Sequence, residues 1–395
     1  MLSIASQGIG VLQLLTLLAR VGANETTDAY LYLFNMGMLP TQIIVVGVLF
    51  PMLLNKHKMT SRLAERIRVS TPVLAIVLVG AGTFWMWLNG RMESTLFPVV
   101  LAVAINAFFQ SCVWIRAVSA EAIGDPRWMA AVALPSNALA LVVLLLPIPG
   151  DYLVTSMVAA LALGNIALLI TQTVRGVGTQ SWTTLSRDPN AKSLGAGWFL
   201  TKAGVGYGGL AVIQSLAVAL PPSALTILSV ATKIVGSVVA TFVNAVMPRI
   251  VHRDTNTVRP AMRFLAFAYV GAGCIGLTLV GAAAAFRPDF LQLAAITGLW
   301  LAASVGNSVA QRAAYRFLPA NASRITIVVV PAVAALAITS SFAKNFQLET
   351  LVSAYAAIDG VSAMLFLAAM SRWRVAAVAA TVCLGIAGVW IASLM

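Results

Sequence analysis

The chain has 395 residues, of which 60% are hydrophobic and 9% charged, whereas an ordinary soluble domain is roughly 25% charged. That composition excludes a soluble protein. Its 25 basic and 12 acidic residues leave a net charge of +13, and because the bases fall between apolar runs they point to a membrane rather than to nucleic acid.

A helix crossing ~30 Å of hydrocarbon needs about 20 apolar residues. Nearly charge-free stretches of that kind run over Leu2–Ala19, Ala29–Asn55, Val69–Gly90, Ser94–Ile115, Trp128–Gly150 and Tyr152–Val174. Leu2–Ala19 has no basic leader before it, so it is expected to be the first span and not a cleaved signal. The longest polar gap follows, from Arg175 to about Gly195. A second set begins near Ala196, breaks at Pro221–Pro222, resumes at Ser223 and ends near Pro248; it continues with Phe264–Phe286, Phe290–Gln311, Ile325–Ala343 and Glu349–Ser371. Val375–Met395 adds a thirteenth. The predicted fold class is an all-α polytopic membrane protein of about 13 transmembrane helices. Cys112, Cys274 and Cys383 lie in apolar runs without ligand spacing, so neither a disulfide nor a metal site is expected. No motif for a cofactor is present.

Lysine and arginine gather in the loops after even-numbered helices, from Lys56, Lys58, Arg62, Arg66 and Arg68 to Arg372 and Arg374. The odd-numbered loops carry only Arg20, Arg91, Arg287 and Lys344. Basic loops stay in the cytoplasm, so the N-terminus is expected there. Adding 197 to the numbers of the first set superposes it on the second: Pro51 falls on Pro248, Lys56 on Arg253, Arg62 on Arg259, Arg66 on Arg263, Arg127 on Arg324 and Arg175 on Arg372. An even number of helices per unit makes the repeat parallel, an architecture of transporters whose substrate path lies between two lobes. The expected organisation is a six-helix lobe over 1–175, a cytoplasmic linker over 176–195, a second six-helix lobe over 196–371 and an extra helix over 372–395.

Few ionisable residues lie within the spans. Lys233 sits about 10 residues, or ~15 Å, from the outer start of helix 8. A base at that depth costs roughly 2.5–3.5 kcal/mol to insert and should face water or a partner; it reads as an attractor of an anionic head group or as half of an ion pair. Asp359 lies at similar depth in helix 12 and could bind a coupling cation or proton, neutralise a lysine, or stay protonated. Lys202 stands near the cytoplasmic end of helix 7, where its stem can snorkel. Asp28 falls in the first turn of helix 2, favoured there by the helix dipole. Gln7, Gln13, Gln42, Asn106, Gln214, Asn244 and Asn307 are uncharged polar residues that either bond between helices or line a cavity.

Two stretches resemble the exporter superfamily that unites lipid II flippases, polysaccharide-lipid flippases and multidrug exporters, and they are most similar to its lipid II flippase branch. The first is Leu17-Leu-Ala-Arg-Val-Gly-Ala with Thr27-Asp-Ala-Tyr-Leu; the second runs from Ala217-Val-Ala-Leu-Pro through Ser229-Val-Ala-Thr-Lys-Ile to Val246-Met-Pro-Arg-Ile. The resemblance implies a flippase, not an enzyme, working by alternating access in the bacterial inner membrane. Its partners would be an anionic lipid-linked substrate, membrane lipids and enzymes of cell-wall or polysaccharide synthesis, with no nucleic acid. Gln7 and Gln13 replace arginines of that branch, and Thr232 replaces an aspartate before Lys233. These departures open the substrate to another polyprenyl-linked glycan or another amphiphile. Substrate-binding candidates are Lys233, Lys202, Gln7 and Gln13; gating or coupling candidates are Asp28, Arg20 and Asp359. A cation-coupled multidrug antiporter is the alternative. A membrane glycosyltransferase fits poorly, because the outer loops are short and both histidines, His57 and His252, are cytoplasmic.

Overall fold

The computed structural model describes residues 2–54, 61–178, 196–239, 259–317, 319–342 and 346–394. Among them there is no strand, and thirteen helical stretches follow one another. We number them α1 (Leu2–Val21), α2 (Glu25–Pro40, continuing through Thr41–Leu49 and Phe50–Leu54), α3 (Ser61–Leu88), α4 (Phe97–Ala122), α5 (Arg127–Ala131 and Leu134–Leu145) and α6 (Gly150–Val174). Then come α7 (Ala196–Leu216), α8 (Ala224–Val238), α9 (Arg259–Phe286), α10 (Leu291–Phe317), α11 (Pro319–Ser341), α12 (Leu348–Ala369) and α13 (Trp373–Leu394). Ten of these helices are long and apolar enough to cross a membrane, while Gly8–Val21 and Ala224–Val238 are shorter apolar helices. The protein is a multi-pass membrane protein. In hydrocarbon a backbone amide finds its partner within its own segment, which is why the described parts of the apolar runs are mostly helical.

Helix boundaries differ from the apolar runs in a consistent way. Helix α3 includes Arg62, Arg66 and Arg68, which ride on helical turns ahead of the apolar run, and α9 likewise includes Arg259 and Arg263. Charged side chains end the hydrocarbon span without ending the hydrogen-bonded spiral. The start of α2 is capped by side chains. The Asn24 side chain accepts the Thr27 N–H at 3.0 Å while the Thr27 hydroxyl accepts the Asn24 N–H at 2.9 Å, a reciprocal cap that opens α2.

Within α2, Pro40 removes one amide donor, and the nine residues Thr41–Leu49 that follow adopt the wider π spiral. Gly47 lies in that stretch, where a Cβ would collide with the Cβ of Ala203 on α7. The widened turn and the missing side chain together let α7 approach the backbone of α2.

Contacts divide the chain into two compact units. The first comprises Met1–Ala211 with Pro221–Ile227, and the second Val212–Leu220 with Leu228–Met395. In the first unit, α4 packs on α6, α5 on α6, and α2 on α3 and α4. In the second, α12 lies between α10 and α13, and α9 packs along α10. Small residues set these approaches. Gly276 of α9 and Gly298 of α10 face each other, a Cβ on either meeting the other's Cα at 3.0 to 3.2 Å. Lys56, Pro248 and Arg253, on which part of the expected repeat rests, lie outside the described residues.

The tightest crossing gives a stability test. A Cβ at Gly164 would collide with the Cα of Ser136, at the start of α5, and stand 2.8 Å from its amide nitrogen. Neither backbone atom can rotate away, so Gly164→Ala should cost about 1–3 kcal/mol, the usual range for overpacking. Gly271→Ala, at a position with nothing within 4 Å, should leave the unfolding temperature in detergent unchanged. Equal melting of the two variants would contradict the crossing.

Candidate functional site

In the first unit the polar centre is Asp28, 7% exposed in the first turn of α2. Its Oδ2 accepts the Ser223 N–H at 2.8 Å, and its Oδ1 accepts the Thr226 N–H at 2.7 Å and the Thr226 hydroxyl at 2.5 Å. These donors belong to the start of α8. Pro221 and Pro222 have no N–H and end the preceding segment, so the first free amides of α8 point outward with no carbonyl to receive them. A carboxylate satisfies several at once, and the helix dipole favours its charge. Ser223 itself has φ +81°, a left-handed conformation that a serine adopts only when its surroundings hold it there. The Asp28 carboxylate is that hold. Beside it, Arg91 pairs with Glu25 at 3.2 Å, tying the loop after α3 to the same end of α2.

Arg20, named with Asp28 as a gating or coupling candidate, bonds to other groups. Its guanidinium donates to the carbonyls of Leu144 at 2.7 Å, Leu146 at 2.5 Å and Ile148 at 3.3 Å, closing the end of α5. Both residues lie at the same end of the first unit but serve different helix termini. Gln13 is 6% exposed and donates to the Met157 sulfur of α6 at 3.3 Å, with Tyr30 as a further hydrogen-bond partner. In this arrangement it bonds between helices. The side chain of Gln7 lies outside the described residues. Lys202 is half-buried near the start of α7.

In the second unit, Lys233 is half-buried midway along α8. Successive residues of a helix are turned by about 100°, so Leu228, Ala231 and Val235 form one buried apolar face while Ser229, Lys233 and Ser237 line the opposite one. The hydroxyls of Ser229 and Ser237 are buried without a hydrogen-bond partner among the described residues, one turn to either side of Lys233. No carboxylate pairs with Lys233 among the described residues. The i, i+4, i+8 spacing of Ser229, Lys233 and Ser237 was readable in the sequence; that the hydroxyls are orphaned was not.

Asp359, the other intramembrane ion, lies on α12 and is partnered by α10 rather than by a lysine. Trp300 Nε1 donates to Oδ2 at 2.9 Å and Asn307 Nδ2 to Oδ1 at 2.7 Å, with a further side-chain hydrogen bond from Ser304. Trp300 carries no charge or acceptor and therefore gave no sign in the sequence of being part of a polar centre. Among the described residues, no three His, Cys, Asp or Glu side chains come together to hold a metal ion.

No protein-family model and no curated protein matches the sequence. Among solved structures the chain is similar to the lipid II flippase MurJ in an inward closed conformation, with a TM-score of 0.67 and 12% identity. The likeness covers 99% of this chain and 97% of that one. The thirteen helices, the broken entry into α8 and the carboxylate that holds it thus belong to a chain with the MurJ fold from end to end.

Proposed function

We propose that the protein is a flippase that moves an anionic polyprenyl-linked glycan, a precursor of cell wall or surface polysaccharide, across the bacterial cytoplasmic membrane by alternating access. The observation that carries this reading is Lys233, a mid-helix ammonium without a paired carboxylate among the described residues, flanked on one face by two buried hydroxyls without partners. A charge inside a span costs roughly 2.5–3.5 kcal/mol, and three donors on one helical face match the oxygens of a phosphate or diphosphate. The ammonium supplies a point charge and the hydroxyls supply direction. Lys202, on α7, adds positive charge near the cytoplasmic entrance. The basic cytoplasmic loops put the N-terminus inside, so α8 begins on the outer side. Enzymes that load and consume the lipid-linked glycan are the natural partners on the two faces.

Asp28 acts in this scheme as an outer latch. It anchors the start of α8 to α2 while the outer side is shut, and releasing the Ser223 and Thr226 amides frees α8 to move. A hydrogen bond to a charged group contributes about 1.5–3 kcal/mol, enough to favour the shut state and weak enough to break in each cycle.

Lys233→Ala should reduce transport of a fluorescent polyprenyl-diphosphate glycan into vesicles by about tenfold or more, the equivalent of ~1.4 kcal/mol, with insertion unchanged. Lys233→Arg should keep part of the activity. Full activity in Lys233→Ala would refute the assignment. For the latch, the thiol of Ser223→Cys should react slowly with a membrane-impermeant maleimide when Asp28 is present, and about tenfold faster when Asp28→Ala is added. Identical labelling rates would remove the latch from the mechanism.

A further inference from the structure

The ion at Asp359 is held by an arrangement that the head-group reading does not use. The carboxylate lies twelve residues into a 22-residue helix, α12, and keeps some exposure. Facing it on α10 are Trp300, Ser304 and Asn307, spaced so that all three lie on one side of that helix. Trp300 is 3% exposed, and its ring rests on Tyr355 of α12 with centroids 5.3 Å apart, which fixes the indole N–H toward Oδ2. An indole nitrogen can only donate. Oδ2 is thereby kept as an acceptor, and any proton taken up must go to Oδ1.

Oδ1 faces the Asn307 amide. The Nδ2 of that amide donates to it at 2.7 Å, the arrangement an ionised carboxylate requires, while the Asn307 Oδ1 is buried with no hydrogen-bond partner among the described residues. A half-turn of the amide exchanges the two atoms at almost no change in shape. The carbonyl oxygen then accepts from a protonated Oδ1. The same side chain therefore serves either state of the acid, and the orphaned oxygen marks the acceptor that the second state would use.

We propose that Asp359, Trp300, Ser304 and Asn307 form a proton-binding site within the second unit, with one proton passing from water to Asp359 Oδ1 and back as the Asn307 amide turns. The ligand is a proton and not a metal cation. Two of the groups on the carboxylate are N–H donors, which repel a cation, and a hard metal ion demands several oxygens around it. The other titratable groups that face this site are Tyr355 on α12, Tyr269 of α9, whose hydroxyl lies against Gly306, and Cys383 of α13, whose sulfur lies against Gly360. On α11 the basic residue Arg324 is exposed near the helix start, and Arg312 lies farther along α10. No lysine, arginine or histidine pairs with Asp359 among the described residues, so its charge changes when the proton moves.

The test needs no transport substrate, so it stands or falls apart from the flippase reading. Tryptophan emission of the purified full-length protein in nanodiscs is followed as pH is lowered, and the spectrum of Trp300→Phe is subtracted to isolate Trp300. The difference signal should titrate as a single proton, and Asp359→Asn, which keeps the shape and cannot ionise, should abolish that titration while remaining folded by circular dichroism. Asn307→Asp, which places a second carboxylate beside the first, should move the midpoint to higher pH. A titration that persists in Asp359→Asn overturns the proposal, as does a flat difference signal in the wild type. A response to sodium chloride at constant pH that Asp359→Asn removes would overturn it in favour of a metal cation.

Discussion

Hydrocarbon offers no hydrogen bonds, and everything else in this protein follows from where its polar groups find partners. A buried polar group without a partner costs about 1–3 kcal/mol, a charged one more. Among the described residues the backbone meets this constraint by remaining helical through most of each apolar run. Side chains meet it by pairing across helices, as Asn165 does with Asn106 at 2.9 Å and Thr41 with Ser111 at 2.8 Å in the first unit. Among the buried groups left without partners by the described residues are the serine hydroxyls beside Lys233 and the amide oxygen beside Asp359.

The two units treat polar groups differently. In the first, Arg20, Asp28 and Gln13 each end in bonds to another helix, and two of the three close helix termini. A terminus is the one place in a membrane helix where the backbone itself lacks partners, so a single ion there stabilises several amides or carbonyls. In the second, Lys233 and Asp359 lie in mid-helix, where the backbone needs nothing from them. Their cost is not offset by closing a helix end, which is the physical ground for the proposals made for them.

Movement in such a scaffold requires places where the helix is already weakened. Pro40 with its π stretch and the Pro221–Pro222 break are both of this kind: the first lies within α2, and the second is held to the first turn of α2 by Asp28. The left-handed Ser223 adds a conformation that stays only while Asp28 holds it. Rigid crossings such as Gly164 on Ser136 and Gly276 on Gly298 bind the rest of each unit firmly.

The sequence by itself determined the helices. Apolar runs of spanning length and the double proline are local signals, and the thirteen stretches lie where those signals stand. It also determined that Lys233 and Asp359 sit deep in their spans, because depth is a count along one helix. Partnership was left to the tertiary structure, since it joins residues far apart in the chain: Asp28 meets Ser223 and Thr226 across 195 and 198 positions, and Arg20 meets Leu144 across 124. Nothing in the sequence tells Arg20 to choose carbonyls over Asp28, or makes Trp300 the donor to Asp359, because a hydrogen bond is decided by distances of about 3 Å that only packing sets.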